Sequence, residues 1–270
     1  MIMKAIKFQL IFVALLVLAT GVSAQNPYAD IEKDSYADVL KFAGQKPSIT
    51  DFATYYIGEP TPPEEDDGLE CGWTCDFRDV WSKYRKHKPL TTTEEWTEKV
   101  TVDAKNGYAC IELYFAVKDQ DYKRDAKMEM CYWNCSDGKH KVFAVSESCS
   151  ENGKLMGLGG FFGGFGLYLY NNDTHKIYRC SASELGAEVK TGYEHISQDH
   201  KDDEYFRIDN NTGVRTKITK KEWEDWTWPF VIYTLPRVGK DINAVIYDLP
   251  GGETKKILVK WNGLTFDVQK

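Results

Sequence analysis

The sequence predicts a mainly β protein, antiparallel hairpins arranged as a sandwich or open barrel, with a small α-helical N-terminal part and an α+β character overall. Three observations predict it. Apolar residues recur with a period near 3.6 before Pro89 and near 2 after Val100. Turn-forming residues punctuate the second part at Asn106-Gly107, Asp137-Gly138, Asn171-Asn172-Asp173, Asn210-Asn211-Thr212-Gly213 and Asn262-Gly263. Of the 270 residues, 42% are apolar and 14% aromatic, which supports a real core and excludes a disordered chain.

The N-terminus orders Lys4 and Lys7, an apolar run from Phe8 to about Leu18, and Val22-Ser23-Ala24 before Gln25. That is the layout of a secretory signal peptide, residues 1–24, cleaved between Ala24 and Gln25. The apolar run falls short of the ~20 residues of a spanning helix, and no cysteine follows it for lipidation. The expectation is a secreted or periplasmic product with no transmembrane segment after cleavage. The formal net charge is −7, and the leader removes two lysines, so the exported chain is more acidic still. An acidic surface repels phosphate backbones, and no nucleic-acid partner is expected.

Residues 25–92 read as a helical region with an acidic, Pro-rich loop. Tyr36, Val39, Leu40 and Ala43 share a helical face before Gly44, and Ser48 with Asp51 forms a capping box ahead of Phe52, Tyr55, Tyr56 and the stop at Gly58. Pro60, Pro62 and Pro63 with Glu64-Glu65-Asp66-Asp67-Gly68 make an exposed connection. Asp76 is placed to cap a third helix carrying Phe77, Val80, Trp81 and Tyr84, with basic residues toward its end and Pro89 beyond.

Residues 93–270 read as an antiparallel β-rich domain, two sub-sheets joined by a short helix near 219–228. Hairpins are expected over 100–117, 128–145, 165–180, 205–218 and 254–268. Thr219 and Glu222 form a second capping box, followed by Trp223, Trp226 and Pro229. The uneven spacing and the lack of a blade signature exclude a propeller.

Seven cysteines, Cys71, Cys75, Cys110, Cys131, Cys135, Cys149 and Cys180, point to about two or three disulfides in an oxidising compartment, with one thiol left over. Cys71-Gly72-Trp73-Thr74-Cys75 and Cys131-Tyr132-Trp133-Asn134-Cys135 repeat one spacing. Three intervening residues suit neither the usual zinc pair nor the thioredoxin motif. On an extended strand Cys131 and Cys135 stand about 13 Å apart, past disulfide reach. No metal and no cofactor are expected.

Gly157 to Gly166 matches no nucleotide-binding template. Its Phe161, Phe162 and Phe165 read first as core or a tight turn, and second as a partner-binding loop. Trp223, Trp226 and Trp228 form the densest aromatic cluster, suited to stacking on sugar rings or, more often, to pinning a bridging helix to the core. His195 and His200, beside Asp199, Asp202, Asp203 and Glu204, read as a solvated polar loop. Glu112 and Glu129 fall in neighbouring strands as a conceivable acid/base pair, and no nucleophile elbow occurs. Asn134, Asn172 and Asn210 open glycosylation sequons. The function expected is a non-catalytic binding or surface-associated module for a glycan or another extracytoplasmic protein. The alternatives are a carboxylate-dependent hydrolase and a structural envelope protein.

Overall fold

Two long strands, β4 (Tyr122–Asn134) and β5 (His140–Glu151), pair along almost their whole length, from Arg124 opposite Glu151 to Asn134 opposite Lys141. Successive side chains of a strand point to opposite faces, so each of the two supplies two apolar faces that must both be covered. The computed structural model describes residues 26–39, 46–58, 73–118, 121–155, 164–199, 204–209, 212–226, 229–238, 240–249 and 252–269. The signal-peptide expectation, the acidic Pro-rich loop, and Cys71, Phe161, Phe162, His200 and Trp228 lie outside them.

The chain divides into Met1–Asp34 and Ser35–Lys270. In the first unit α1 (Ala29–Asp34) begins where Asn26 Oδ1 accepts the Tyr28 amide at 3.0 Å. The second unit carries the β architecture. Its largest sheet has eight strands in the order β1 (Ala37–Val39), β8 (Lys176–Cys180), β7 (Phe165–Asn171), β5, β4, β3 (Tyr108–Val117), β2 (Trp96–Asp103), with β6 (Lys154–Leu155) paired to β5. All of these pairings are antiparallel, and β1 and β2 are the edges, which makes the sheet open. A three-stranded sheet runs β11 (Arg215–Ile218), β10 (Glu204–Asp209), β9 (Tyr193–Asp199), and a four-stranded sheet runs β12 (Phe230–Thr234), β13 (Asp241–Leu249), β14 (Glu253–Trp261), β15 (Phe266–Val268).

Two helices cover one face of the large sheet. α2 (Ile49–Ile57) starts at the expected capping box, Ser48 with Asp51, and ends at Gly58. α3 is Trp73–Arg85. Phe52 of α2 stacks on Phe143 of β5 with centroids 4.5 Å apart, and Phe77, Val80 and Trp81 of α3 join Ile111, Leu113, Met128, Met130 and Val145 in the same core. Each such side chain, taken fully from water, contributes about 1.5–3 kcal/mol. The opposite face meets the four-stranded sheet. Trp133 of β4 packs edge-on against Phe266 of β15 at 4.9 Å, Phe165 stacks on Tyr233 at 4.1 Å, and the Ser146 hydroxyl donates to the Tyr233 carbonyl. The Trp133 and Trp261 indoles donate to the carbonyls of Lys240 and Asn134 at 2.9 and 3.3 Å, which satisfies polar groups in this apolar layer. The result is helices on a sheet on a sheet, the sandwich form of the expected fold. No described helix is long and apolar enough to cross a membrane.

Two glycines are required by their neighbours. Gly107 closes the β2–β3 hairpin at φ 67°, where a Cβ would meet the Tyr132 ring at 2.5 Å. Gly186, at φ 74°, lies so near the Phe266 carbonyl that any Cβ would collide with it, and it lets the 182–186 turn dock on β15, where the Phe266 amide donates to Leu185.

Three expectations are corrected. The helix expected over Tyr36 to Ala43 is β1 where described, with Ala37 to Val39 paired to Tyr178 to Lys176, because an open sheet edge captured a segment of weak helical content. Asp76 is not the cap of α3, which begins three residues earlier at Trp73. His195 sits not in a loop but in β9, opposite Ile208.

The cysteines follow from the register. Cys110, Cys131, Cys149 and Cys180 are free thiols, and all four are buried. Cys131, Ala144, Leu167 and Cys180 form one row across four strands. At about 4.8 Å per strand, Cys131 and Cys180 are roughly 14 Å apart. Cys110 stands opposite Glu129, so Cys131 is its diagonal neighbour at about 7–8 Å between Cα atoms, past the usual bridging range. Cys149 points to the helical face. No disulfide joins any two of these four, so none of the two or three expected among the seven cysteines is formed here. Cys135 is buried just beyond β4, and Cys71 and the Cys75 side chain lie outside the described residues. Burial holds the Cys110 thiol up at about 11 and Cys180 at about 12, which makes both poor nucleophiles.

One polar node fastens α3 to the edge strand. The buried Glu98 carboxylate accepts from Lys83 Nζ at 2.9 Å, the Thr91 amide at 3.1 Å and the Trp96 indole at 3.2 Å. Burial alone would raise this carboxyl, but the three donors outweigh it and hold it below the usual range. The stability it contributes is present above the unfolded-state value and is lost as pH falls through the folded one. Glu98→Gln should therefore cost about 2 kcal/mol in urea unfolding at neutral pH, with the difference from wild type shrinking steadily below the ordinary carboxylate range. The thiols give a second test: Cys110, Cys131, Cys149 and Cys180 should react with an aromatic disulfide reagent only at the rate of unfolding, and prompt reaction of any of them in the native protein would contradict their burial.

A candidate ligand cleft beside the tryptophan helix

The short helix α4 (Lys220–Glu224) is set by local chemistry. Thr219 Oγ1 accepts the Glu222 amide at 3.1 Å, and the Glu222 carboxylate accepts the Thr219 amide at 2.7 Å and its hydroxyl at 2.8 Å. These two bonds from Thr219, with the Arg207 charge nearby, hold the Glu222 carboxyl below its usual value. Asp225 closes the helix, its amide donating to the Lys221 carbonyl at 2.8 Å. The expected helix near 219–228 is thus present, and it follows β11 directly.

Its tryptophans do different things. Trp223 lies on the ring of the buried Tyr205 in β10, centroids 5.1 Å apart, and ties the helix to the three-stranded sheet. Trp226 lines a cleft of about 420 Å³ together with Arg207, Lys221, Glu222, Asp225 and Asp248. The far wall comes from the four-stranded sheet, where the register of β13 on β14 shifts between Ile246 and Leu249 and Asp248 adopts φ 53°. That bulge re-aims the strand and brings Asp248 and Leu249 to the cleft. A space of this size lies within the ~300–1,000 Å³ range of small-molecule sites.

The cleft combines an indole wall with groups that bond hydroxyls or charges. Arg207 and Lys221 are the cations, and Glu222, Asp225 and Asp248 are the carboxylates. Lys220, next in sequence, pairs with Glu224 at 3.8 Å. Of the residues singled out from sequence, Trp226 and the capping pair Thr219 and Glu222 line this cleft. Arg207 and Asp248 carried no sequence signal, because a charged residue in a strand gives no sign of what it faces.

Other candidates resolve into packing. Phe165 opens β7 and is spent on Tyr233. Glu112 is held by Lys99 at 2.6 Å, and the buried Glu129 by Lys127 at 2.8 Å and the Tyr108 hydroxyl at 2.7 Å, so both members of the conceived acid/base pair already have partners. On the helical face, Tyr56 donates to Glu147 at 2.8 Å, and burial keeps that carboxyl above its usual value. The buried Lys141 donates to the Pro47 carbonyl at 3.1 Å and lies 4.2 Å from the Tyr132 ring centre. Burial lowers its ammonium, with Lys46 adding to the effect and Asp51 opposing it. Among the described residues no group of His, Cys, Asp and Glu is arranged to hold a metal. Asn172 has its side-chain oxygen buried, and Asn210 lies outside the described residues.

If Trp223 is the anchor, Trp223→Ala should destabilise the protein by about 2 kcal/mol, while Trp223→Phe, which keeps a ring on Tyr205, should recover most of that loss in urea titration. A scan against protein-family models, a search of the curated proteins and a search of the solved structures each return no match for this chain.

Proposed function

We propose that this is an exported, non-catalytic glycan-binding module whose ligand lies in the cleft beside α4. The carrying observation is that several groups able to bond hydroxyls, Arg207, Lys221, Asp225 and Asp248, line the same cleft as Trp226. A pyranose presents C–H groups on its faces and hydroxyls around its edge, so it matches a site with one π wall and a polar rim. Export is supported by the leader-like order of Lys4, Lys7, the apolar run and Val22-Ser23-Ala24. A second reading, hydrolysis, is favoured by the presence of Asp225 and Asp248 in one cleft, since glycoside cleavage uses two carboxyl groups.

The test is incubation of residues 25–270 with insoluble polysaccharides and peptidoglycan, recording protein depleted and soluble fragments released. Depletion without release is expected, with Trp226→Ala weakening retention by about 10-fold, a loss of ~1.4 kcal/mol of stacking. Fragment release that disappears in both Asp225→Asn and Asp248→Asn would replace the binding reading with the hydrolase. Absence of depletion on every polymer would overturn both.

A further inference from the structure

We propose that the cleft beside α4 selects ligands bearing a protonated amine, specifically amino-sugar units whose nitrogen is free and not acylated. This rests on the glycan reading of the same cleft. The argument is the distribution of charge among its walls. Of the three carboxylates, Glu222 accepts both Thr219 bonds on one oxygen, Oε2, and has Arg207 as its electrostatic neighbour. Asp225 and Asp248 enter no ion pair among the described residues, and both line the cleft with Trp226. Lys221 is the one remaining cation of the lining, against these two acids.

A neutral sugar would satisfy the rim with hydroxyls but leave the excess negative charge uncompensated. A uronic acid would add to it. An ammonium supplies what the lining lacks: charge-assisted hydrogen bonds to carboxylates and an attractive interaction with the electron-rich indole face. The two acids are brought from different elements, Asp225 from the end of α4 and Asp248 from the bulge of β13, so they can approach the exocyclic amine of a sugar ring from two walls. The acidic net charge of the chain, −7, favours the encounter with a polycationic glycan at long range.

The experiment compares short oligomers of glucosamine, N-acetylglucosamine and galacturonic acid by calorimetry at low salt and mildly acidic pH, where the free amine is charged. Acetylation removes the charge and keeps the ring, so the first two isolate the amine. The glucosamine oligomer should bind at least about 10-fold more tightly than its acetylated counterpart, and the galacturonic acid oligomer most weakly. Asp225→Asn and Asp248→Asn should each abolish most of that preference, weakening the glucosamine oligomer by a larger factor than the acetylated one. Asn tolerates the left-handed backbone of position 248, so the second variant keeps its fold, which circular dichroism checks. Equal or tighter binding of the acetylated or acidic oligomer would overturn the amine proposal and leave the glycan reading standing. A preference that survives in the doubly substituted protein would also overturn it, as it would then reflect net acidity alone. Binding of none of the three would overturn the amine proposal, and the polymer panel then decides the glycan reading separately.

Discussion

Over residues 128–133 of β4 and 140–146 of β5 the eight-stranded sheet has no solvent face, and the rest of the second unit follows from covering it. Residues such as Met128, Met130, Phe143 and Val145 leave one side needing helices, and Cys131, Trp133, Val142 and Ala144 leave the other needing a second apolar layer. A free sheet of this kind would expose two hydrophobic surfaces at once. α2 and α3 answer the first through Phe52, Phe77, Val80 and Trp81, and the four-stranded sheet answers the second through Tyr233, Trp261 and Phe266. Polar groups within the layers are satisfied one by one. Glu98 has three donors, Glu129 has Lys127 and Tyr108, and the indoles of Trp133 and Trp261 have carbonyls.

The same constraint explains the thiols. Sulfur is among the most readily buried of side-chain groups, and in this sheet Cys110, Cys131, Cys149 and Cys180 behave as small apolar residues filling rows between Leu, Ala and aromatic side chains. Spacing in the sequence suggested a pairing code, but the strand register separates the partners. In this core stability comes from packing of large aromatic and aliphatic groups on both faces, and cross-links among these four cysteines have no part in it.

The cleft lies where this packing logic runs out. It forms at the meeting of the three-stranded and four-stranded sheets beside α4, with a bulge on one wall and a helix end on the other. Bulges and element ends aim side chains away from the regular ladder, which is why polar residues gather there without a core partner. Trp223 on the short helix and Trp226, two residues past its last one, are divided by this geometry into an anchor and a wall.

By itself the sequence determined the elements with strong local signals. The Asn-Gly and Asp-Gly turns, the two capping boxes and the i, i+3, i+4 pattern from Phe77 to Tyr84 each need only their own neighbours, so the hairpins β2–β3, β4–β5, β7–β8, β10–β11 and β14–β15 and the helices α2, α3 and α4 were legible. Tertiary structure alone decided what depends on distant partners. Ala37 to Val39 became a strand because β8 offered an edge, His195 entered β9 because β10 paired with it, and the cysteines stayed apart because register, not spacing, sets distance across a sheet. The cleft was half legible: Trp226 and Glu222 stood out locally, while Arg207 and Asp248 joined them only once two sheets were brought together, because a side chain's neighbours across a fold leave no mark on its own segment.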